Sequence, residues 1–383
     1  MKRDQAAQPD FIPGGKFAMK SRLILVGGFL GAGKTTLLAE AARVLATHGQ
    51  RVGLITNDQA PELVDTAFLS LGGTRVEEVS GSCFCCNFPG LLGAMAKLRS
   101  EAMADVLIAE PVGSCTDLSA TIVQPLRDLH HGEIVVAPLS VLTDPIRLED
   151  ILNGGNGGLH PSAAYISRKQ MEEADILVIS KSDLLASENL EALTARVARE
   201  LPLTTVFCVS AKTGVGLEAW LEAAMARTDA GQRLAEVDYD TYAEGEAVLG
   251  WLNATFALSG EELNWHTFAG ELLNALSARF DSAHASVGHV KIIIESAGSS
   301  IVGNITGRRE TVSVRGPEIV NPRAKLTLNA RVEMSPASVE QVVREALDSI
   351  TGDRIQATTI AWRCLSPGRP MPTHRYDRLI ALT

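Results

Sequence analysis

Short β-branched apolar runs alternate with amphipathic stretches through the first half of the chain. The runs at 23–26, 52–56, 75–79, 106–109, 134–137, 176–179 and 205–209 predict strands. Helical spacing of apolar positions predicts helices at 34–47, 91–103, 188–200 and 217–227, with Ser187 as the N-cap of the helix at 188–200. Strands and helices in this order form a parallel sheet covered on both faces, so 21–228 predicts a doubly wound α/β domain. An acidic stretch poor in apolar residues follows at 229–246 and reads as a linker. Beyond it the rhythm changes. Strands at 250–258, 289–295, 300–306, 310–314, 326–332 and 359–365, with helices at 267–281 and 338–351, predict a smaller α+β domain of ferredoxin-like layout over 247–383. Residues 1–20, with Pro13-Gly14-Gly15, read as a disordered tail.

Composition narrows the class. A chain of 383 residues exceeds one typical core, which agrees with two domains. A net charge of −10 argues against a nucleic-acid partner, since phosphate backbones call for clustered Lys and Arg. No apolar run is long enough to span a bilayer and no export segment is evident, so no membrane partner is expected and the cytoplasm is the expected location. In that reducing setting grouped cysteines point to metal or redox chemistry rather than to disulfides.

The strongest motif is Gly28-Phe29-Leu30-Gly31-Ala32-Gly33-Lys34-Thr35, two glycines four residues apart followed by Lys and Thr, between a strand and a helix. Glycines let backbone N–H groups wrap phosphates, and the helix N-terminus adds a favourable dipole. Gly28, Gly31, Ala32, Gly33 and Thr36 would line the phosphates. Lys34 would reach the β- and γ-phosphates, and the Thr35 hydroxyl would ligate Mg²⁺. Asn57-Asp58 ends the second strand, where a switch segment would meet metal and γ-phosphate. Glu110-Pro111-Val112-Gly113 ends the strand at 106–109. Glu110 there would hold the Mg²⁺ shell or orient the attacking water, and the Gly113 N–H would sense the γ-phosphate. Lys34, Asp58 and Glu110 are thus the candidate catalytic residues, with Thr35, Asp58 and Glu110 around Mg²⁺.

Base selection follows from Ser180-Lys181-Ser182-Asp183 after another apolar strand. The Asp183 carboxylate can accept from guanine N1 and N2, a donor pair adenine lacks, while the Lys181 stem packs on the ring. Ser210-Ala211-Lys212 is the matching second loop, and together they favour GTP. No arginine finger is evident, so slow intrinsic hydrolysis, accelerated by a partner or by homodimerisation, is expected.

Cys83-Phe84-Cys85-Cys86 places three thiols within four residues, between the switch candidate and the acidic strand. Thiolates are soft donors for Zn²⁺ or Co²⁺, and three leave a position for a fourth ligand: Asp58, Glu78 or a partner protein. Cys115 reads as a small packed residue. A cluster between two γ-phosphate-sensing segments would couple metal affinity to nucleotide state.

The P-loop run continued to Thr36, the Cys-x-Cys-Cys motif, Glu110 to Gly113, and Ala174-Asp175 with Lys181-x-Asp183 together resemble the CobW-type GTPases, metallochaperones related to UreG and HypB. The resemblance covers about 22–225. It implies a GTPase that binds a transition metal at its cysteines and serves a client metalloprotein or a metallocofactor pathway. Departures are Asp58 where Glu is usual, Ser82 for Gly, and Pro111 for Thr. Two other readings are a GTPase gating or reactivating a corrinoid enzyme, and a P-loop small-molecule kinase with structural zinc. The base-selecting loops count against the kinase.

Overall fold

In the computed structural model, residues 20–61, 63–307 and 312–381 are described; the tail expected at 1–20 lies, but for Lys20, outside them, as does part of the strand expected at 310–314. The first half builds an all-parallel sheet from β1 (Ser21–Gly28), β2 (Val52–Asn57), β3 (Arg75–Val79), β4 (Val106–Glu110), β5 (Ile134–Val136), β6 (Ser140–Thr143), β7 (Ile176–Ile179) and β8 (Thr205–Cys208). Its order is β3-β2-β4-β1-β6-β7-β8, with β5 also on β1. Leu23, Leu25 and Leu107 face one buried layer, Ile24, Val26 and Ile108 the other, so both faces are covered, as a doubly wound sheet requires.

The covering helices are α1 (Lys34–Thr47), α2 (Val64–Ser70), α3 (Phe88–Glu101), α4 (Gln124–Leu129), α5 (Pro145–Leu152), α6 (Pro161–Glu173), α7 (Ser187–Glu200), α8 (Leu217–Ala226) and α9 (Tyr239–Ala247). Ser187 is the first residue of α7 rather than its cap, because Ala186 already holds the extended entry conformation and offers no capping oxygen. The stretch read as a linker carries α9, capped by Asp238 and buried through Tyr242 and Glu246 against the first half. Its acidic composition hid a helix whose inward residues are few but fully covered.

The second half is an antiparallel sheet of β9 (Gly250–Asn264), β10 (Val287–Ser296), β11 (Ser299–Ile305), β12 (Ser313–Arg315), β13 (Val320–Val332) and β14 (Ile355–Leu365), with α10 (Trp265–Ser282) and α11 (Pro336–Thr351). The order β12-β11-β10-β13-β9-β14 contains the ferredoxin-like arrangement β14-β9-β13-β10, extended by two edge strands. One face packs α10 and α11 through Leu252, Ile292, Leu326 and Leu328. The opposite face carries Asn253, His289, Lys291, Asn329 and Arg331 and turns toward β2 and α2 of the first half. Three of these polar residues are almost completely buried, Asn253 at 3%, Asn329 at 0% and Arg331 at 1% exposure. Among the described residues no helix is long and apolar enough to cross a membrane.

A buried carboxyl marks the α6 side of this fold. Glu173 accepts from Thr116 Oγ1 and Ser119 N, yet burial pushes it up to about 8. Its native pKa lies above the ordinary value of 4.5, so the native state holds a proton the unfolded chain releases. This contribution to stability is complete below pH of about 4.5 and is lost as pH rises through about 8. Glu173→Gln is therefore expected to flatten the decline of melting temperature between those limits, as read by scanning fluorimetry across that range.

Candidate functional site

The P-loop is shaped by three glycines with positive φ, Gly28, Gly31 and Gly33. At Gly28 the requirement is also steric: a Cβ would lie 2.3 Å from the Leu142 carbonyl oxygen of β6. The loop carries the chain from β1 into α1, whose first residue is Lys34. Lys34 Nζ donates to the Gly28 carbonyl at 2.7 Å and stands 3.9 Å from Glu110 Oε1. Burial lowers its pKa, and the Glu110 carboxylate opposes that shift. At Gly113 an added Cβ would fall 3.0 Å from Lys34 Nζ, so the turn after β4 lies directly against the phosphate lysine.

Beside it three oxygens converge. Thr35 Oγ1 lies 2.7 Å from Asp65 Oδ1 and 3.2 Å from Glu110 Oε1. The other oxygen of Glu110 is buried without a hydrogen-bond partner. Burial, with Asp65 adding its charge, pushes Glu110 up to about 7. Hydroxyl and carboxylate oxygens are the hard donors Mg²⁺ takes, and the orphaned Glu110 oxygen fits a cation or a water in its shell. The second carboxylate on Thr35, beside Glu110, is thus Asp65 of α2, which the sequence did not single out. Asp58 takes another position: it accepts from Gln59 N and Ala60 N at the end of β2 and pairs with Arg331 of β13. The Arg331 guanidinium lies over the Trp251 ring.

The switch segment is held from the second sheet along its length. Asn253 donates to the carbonyls of Ala60 and Pro61, Asn329 Oδ1 accepts from Val64 N at the start of α2, and Lys291 pairs with Asp65. His289 is buried in the cleft wall, and burial lowers its pKa well below the usual imidazole value. The cleft measures about 490 Å³ and runs from the P-loop to the loops at 180–183 and 210–212, with Lys291, Arg315 and Arg331 on its far wall.

At its other end Lys181 takes a left-handed conformation after β7, and its Nζ pairs with Asp144 Oδ2 at 2.9 Å. Ser180 donates from Oγ to the Thr143 carbonyl and ties β7 to β6. Ser210 Oγ donates to Asp183 Oδ1 at 2.6 Å, so the two loops meet on the Asp183 carboxylate. Ala211 and Lys212 line the same cleft.

The thiols of Cys83, Cys85 and Cys86 form a cluster, with Sγ separations of 3.0, 3.2 and 3.8 Å. At a zinc–sulfur distance of about 2.3 Å, tetrahedral geometry sets sulfurs about 3.8 Å apart, so small outward shifts would seat one ion. Neither Asp58 nor Glu78 joins this cluster; Glu78 accepts from Thr66 Oγ1 instead. Cys115 does approach it. Its thiol hydrogen-bonds to Cys83, and that contact, with those from Cys85 and Cys86, holds Cys83 well below the usual thiol range while Cys85 and Cys115 are pushed well up. Thiol sulfurs gathered this closely are soft donors suited to a soft cation. The segment after β14 crosses this cluster: Met371 N donates to Cys86 Sγ, Thr373 N to the Cys85 carbonyl, and Arg375 pairs with Asp117.

One side chain joins the two sites. Asn57 Nδ2 donates to the carbonyls of Val79 and Ser82 at 2.8 Å each, and its Oδ1 accepts from Phe84 N at 2.7 Å. The residue beside Asp58 therefore fixes the loop that carries the cysteines.

A strand–glycine loop–helix with lysine and threonine at its mouth, on a parallel sheet of this order, defines a P-loop nucleotide-binding protein. Residues 22–207 match the family described as CobW/HypB/UreG, nucleotide-binding domain, so this stretch of the chain is similar to that domain. It is similar to the zinc chaperone YeiR of Escherichia coli strain K12, 31% identical over 184 residues, 45% of this chain and 50% of that protein. The zinc chaperone YjiA of the same strain is 26% identical over 189 residues, 48% of this chain and 56% of that one. The zinc chaperone CobW of Pseudomonas aeruginosa is 27% identical over 220 residues, 49% and 56% of the two chains. The chain spans about half the length of these curated relatives. A crystal structure of zinc-bound YjiA GTPase from E. coli aligns over 86% of this chain and 99% of that one, at 16% identity and a TM-score of 0.36.

Proposed function

We propose that this protein is a GTP-hydrolysing metallochaperone that takes a transition metal, zinc or cobalt, at Cys83, Cys85 and Cys86 and passes it to a client metalloprotein. The observation that carries the reading is Asn57, whose amide ties the switch strand of the nucleotide cleft to the cysteine loop. In this reading the backbone of residues 28–35 wraps the phosphates and Lys34 draws charge from the β- and γ-oxygens. Thr35, Asp65 and Glu110 would hold Mg²⁺, which when bound neutralises the charge that develops on the phosphates. Glu110, whose second oxygen has no protein partner, can orient the attacking water from the Mg²⁺ shell. Lys181, held by Asp144, forms the platform for the base, and Asp183 accepts from guanine N1–H and the 2-amino group. The metal is cargo, bound by thiolates and released when the cysteine loop shifts with nucleotide state.

Base selection is tested at Asp183. Its carboxylate offers two acceptors to guanine, and an amide in its place presents a donor to a donor. Asp183→Asn is expected to weaken GTP binding by about 10²-fold and leave ATP binding unchanged. The check is competition of each nucleotide against a fluorescent GDP analogue. Equal loss for both nucleotides, or preferred turnover of ATP by the native chain, would sink the assignment.

A further inference from the structure

Lys291 projects from the middle of β10, whose backbone pairs there with Asn304 of β11 and Asn329 of β13. Its Nζ sits on Asp65 and donates to Thr35 Oγ1 at 3.2 Å. Asp65 and Glu110 are both buried and share the Thr35 hydroxyl, so two carboxylates face one point. Two such anions need a cation between or beside them. In this structure Lys34 stands beside Glu110, and the cation on Asp65 is an ammonium from the other sheet, 226 residues along the chain. It neutralises the oxygens that would hold Mg²⁺. The four-carbon stem of lysine can move its charge by several ångströms without moving the strand. Asn304, Thr306 and Arg315 form the wall alongside, so an ammonium leaving Asp65 stays within the cleft.

We propose that Lys291 is a built-in counter-ion of the phosphate site: it neutralises Asp65 and donates to the Thr35 hydroxyl while no divalent ion is bound, and moves to a phosphate oxygen when one is. The inference rests on the nucleotide reading above and adds the part played by the second sheet. Lys291 supplies within the chain the cation that the sequence, lacking an obvious arginine finger, left to a partner. It also makes the grip of the second sheet on α2 depend on the occupant of the site. With Lys291 on Asp65, α2 is tied to β10; with Lys291 on a phosphate, that tie passes through the nucleotide.

The consequence is measurable without turnover. Lys291 substitutes in part for the divalent ion, so the native chain tolerates its removal better than a chain lacking this charge. The dissociation constant of a non-hydrolysable fluorescent GTP analogue is measured with magnesium and with chelator for the native chain, Lys291→Gln and Lys291→Arg. The chelator-to-magnesium ratio is expected to rise about tenfold or more in Lys291→Gln and to return toward the native value in Lys291→Arg. In the native chain bound to the analogue, amide exchange of α2 is expected to differ between magnesium and chelator. Circular dichroism verifies that each variant is folded. Should Lys291→Gln fail to fold, the Arg variant and native-chain exchange decide. An unchanged ratio in a folded Lys291→Gln, or α2 exchange indifferent to magnesium in the native chain, overturns the proposal while leaving nucleotide binding intact. A native chain that binds no guanine nucleotide under either condition refutes the functional reading itself, and this inference with it.

Discussion

Changing Cys83, Cys85 and Cys86 together to serine is expected to weaken zinc binding by about 10³-fold or more. The three sulfurs lie within 3.8 Å of one another, and Cys83 is already biased toward the thiolate by its thiol neighbours. Serine hydroxyls keep similar volume but are neither soft nor ionised at neutral pH, so the loop should keep its fold while the donors vanish. Asn57 contacts only the backbone of this loop, so its hold on Phe84 survives the substitution. GTP affinity measured without metal is therefore expected to stay within about threefold of native. Isothermal titration of Zn²⁺ and of GTP into the same variant checks both halves. Retained zinc affinity would move the metal site elsewhere.

The second large effect is at Lys34. Its ammonium is fully buried, bonded to the Gly28 carbonyl and close to Glu110, so it is already aimed at the space that the loop encloses. An alanine there removes the positive charge that meets the β- and γ-phosphates and leaves Glu110 without one of its two cations. Lys34→Ala is expected to lower GTP turnover by about 10²–10³-fold and to weaken GTP more than GDP. Single-turnover hydrolysis with saturating enzyme separates the two effects. Zinc affinity without nucleotide should change far less, because the hydrogen bonds of Lys34 run to the Gly28 and Phe29 carbonyls and not to the cysteine loop.

Much of this architecture was legible because its signals are local. The start of α1 follows from Gly33 and Lys34, and β1 to β4 follow from short apolar runs that end in chemistry. The gap between 138 and 175 was not read. There β6 is four residues of Ser-Val-Leu-Thr, buried on both faces and without alternation, while α5 and α6 rely on Asp144 and His160 as caps. Asp65 escaped notice because it sits in a seven-residue helix outside any motif, and its partner Lys291 is remote in sequence. Asp58 was singled out, but its partner Arg331 is likewise remote in sequence. Asn329 and Arg331 alternate with Leu328 and Ala330, a pattern that reads as a solvent-facing edge; only the fold shows that face covered by β2 and α2. One weak signal was present in β10, where His289 and Lys291 break an otherwise apolar strand with period two. Cys115 was discounted because its approach to Cys83 is purely tertiary.

Linkage between the nucleotide cleft and the cysteine cluster is the central claim, and it rests on Asn57 and Asp58 being neighbours with different partners. The direct test is titration of Zn²⁺ into the metal-free chain with no nucleotide, with GDP, and with a non-hydrolysable GTP analogue plus magnesium. Zinc affinity is expected to differ by about fivefold or more between the GDP and GTP-analogue states, with the same factor recovered when the analogue is titrated against zinc-loaded chain. Identical zinc affinity in all three states would contradict the claim and leave two independent sites on one fold.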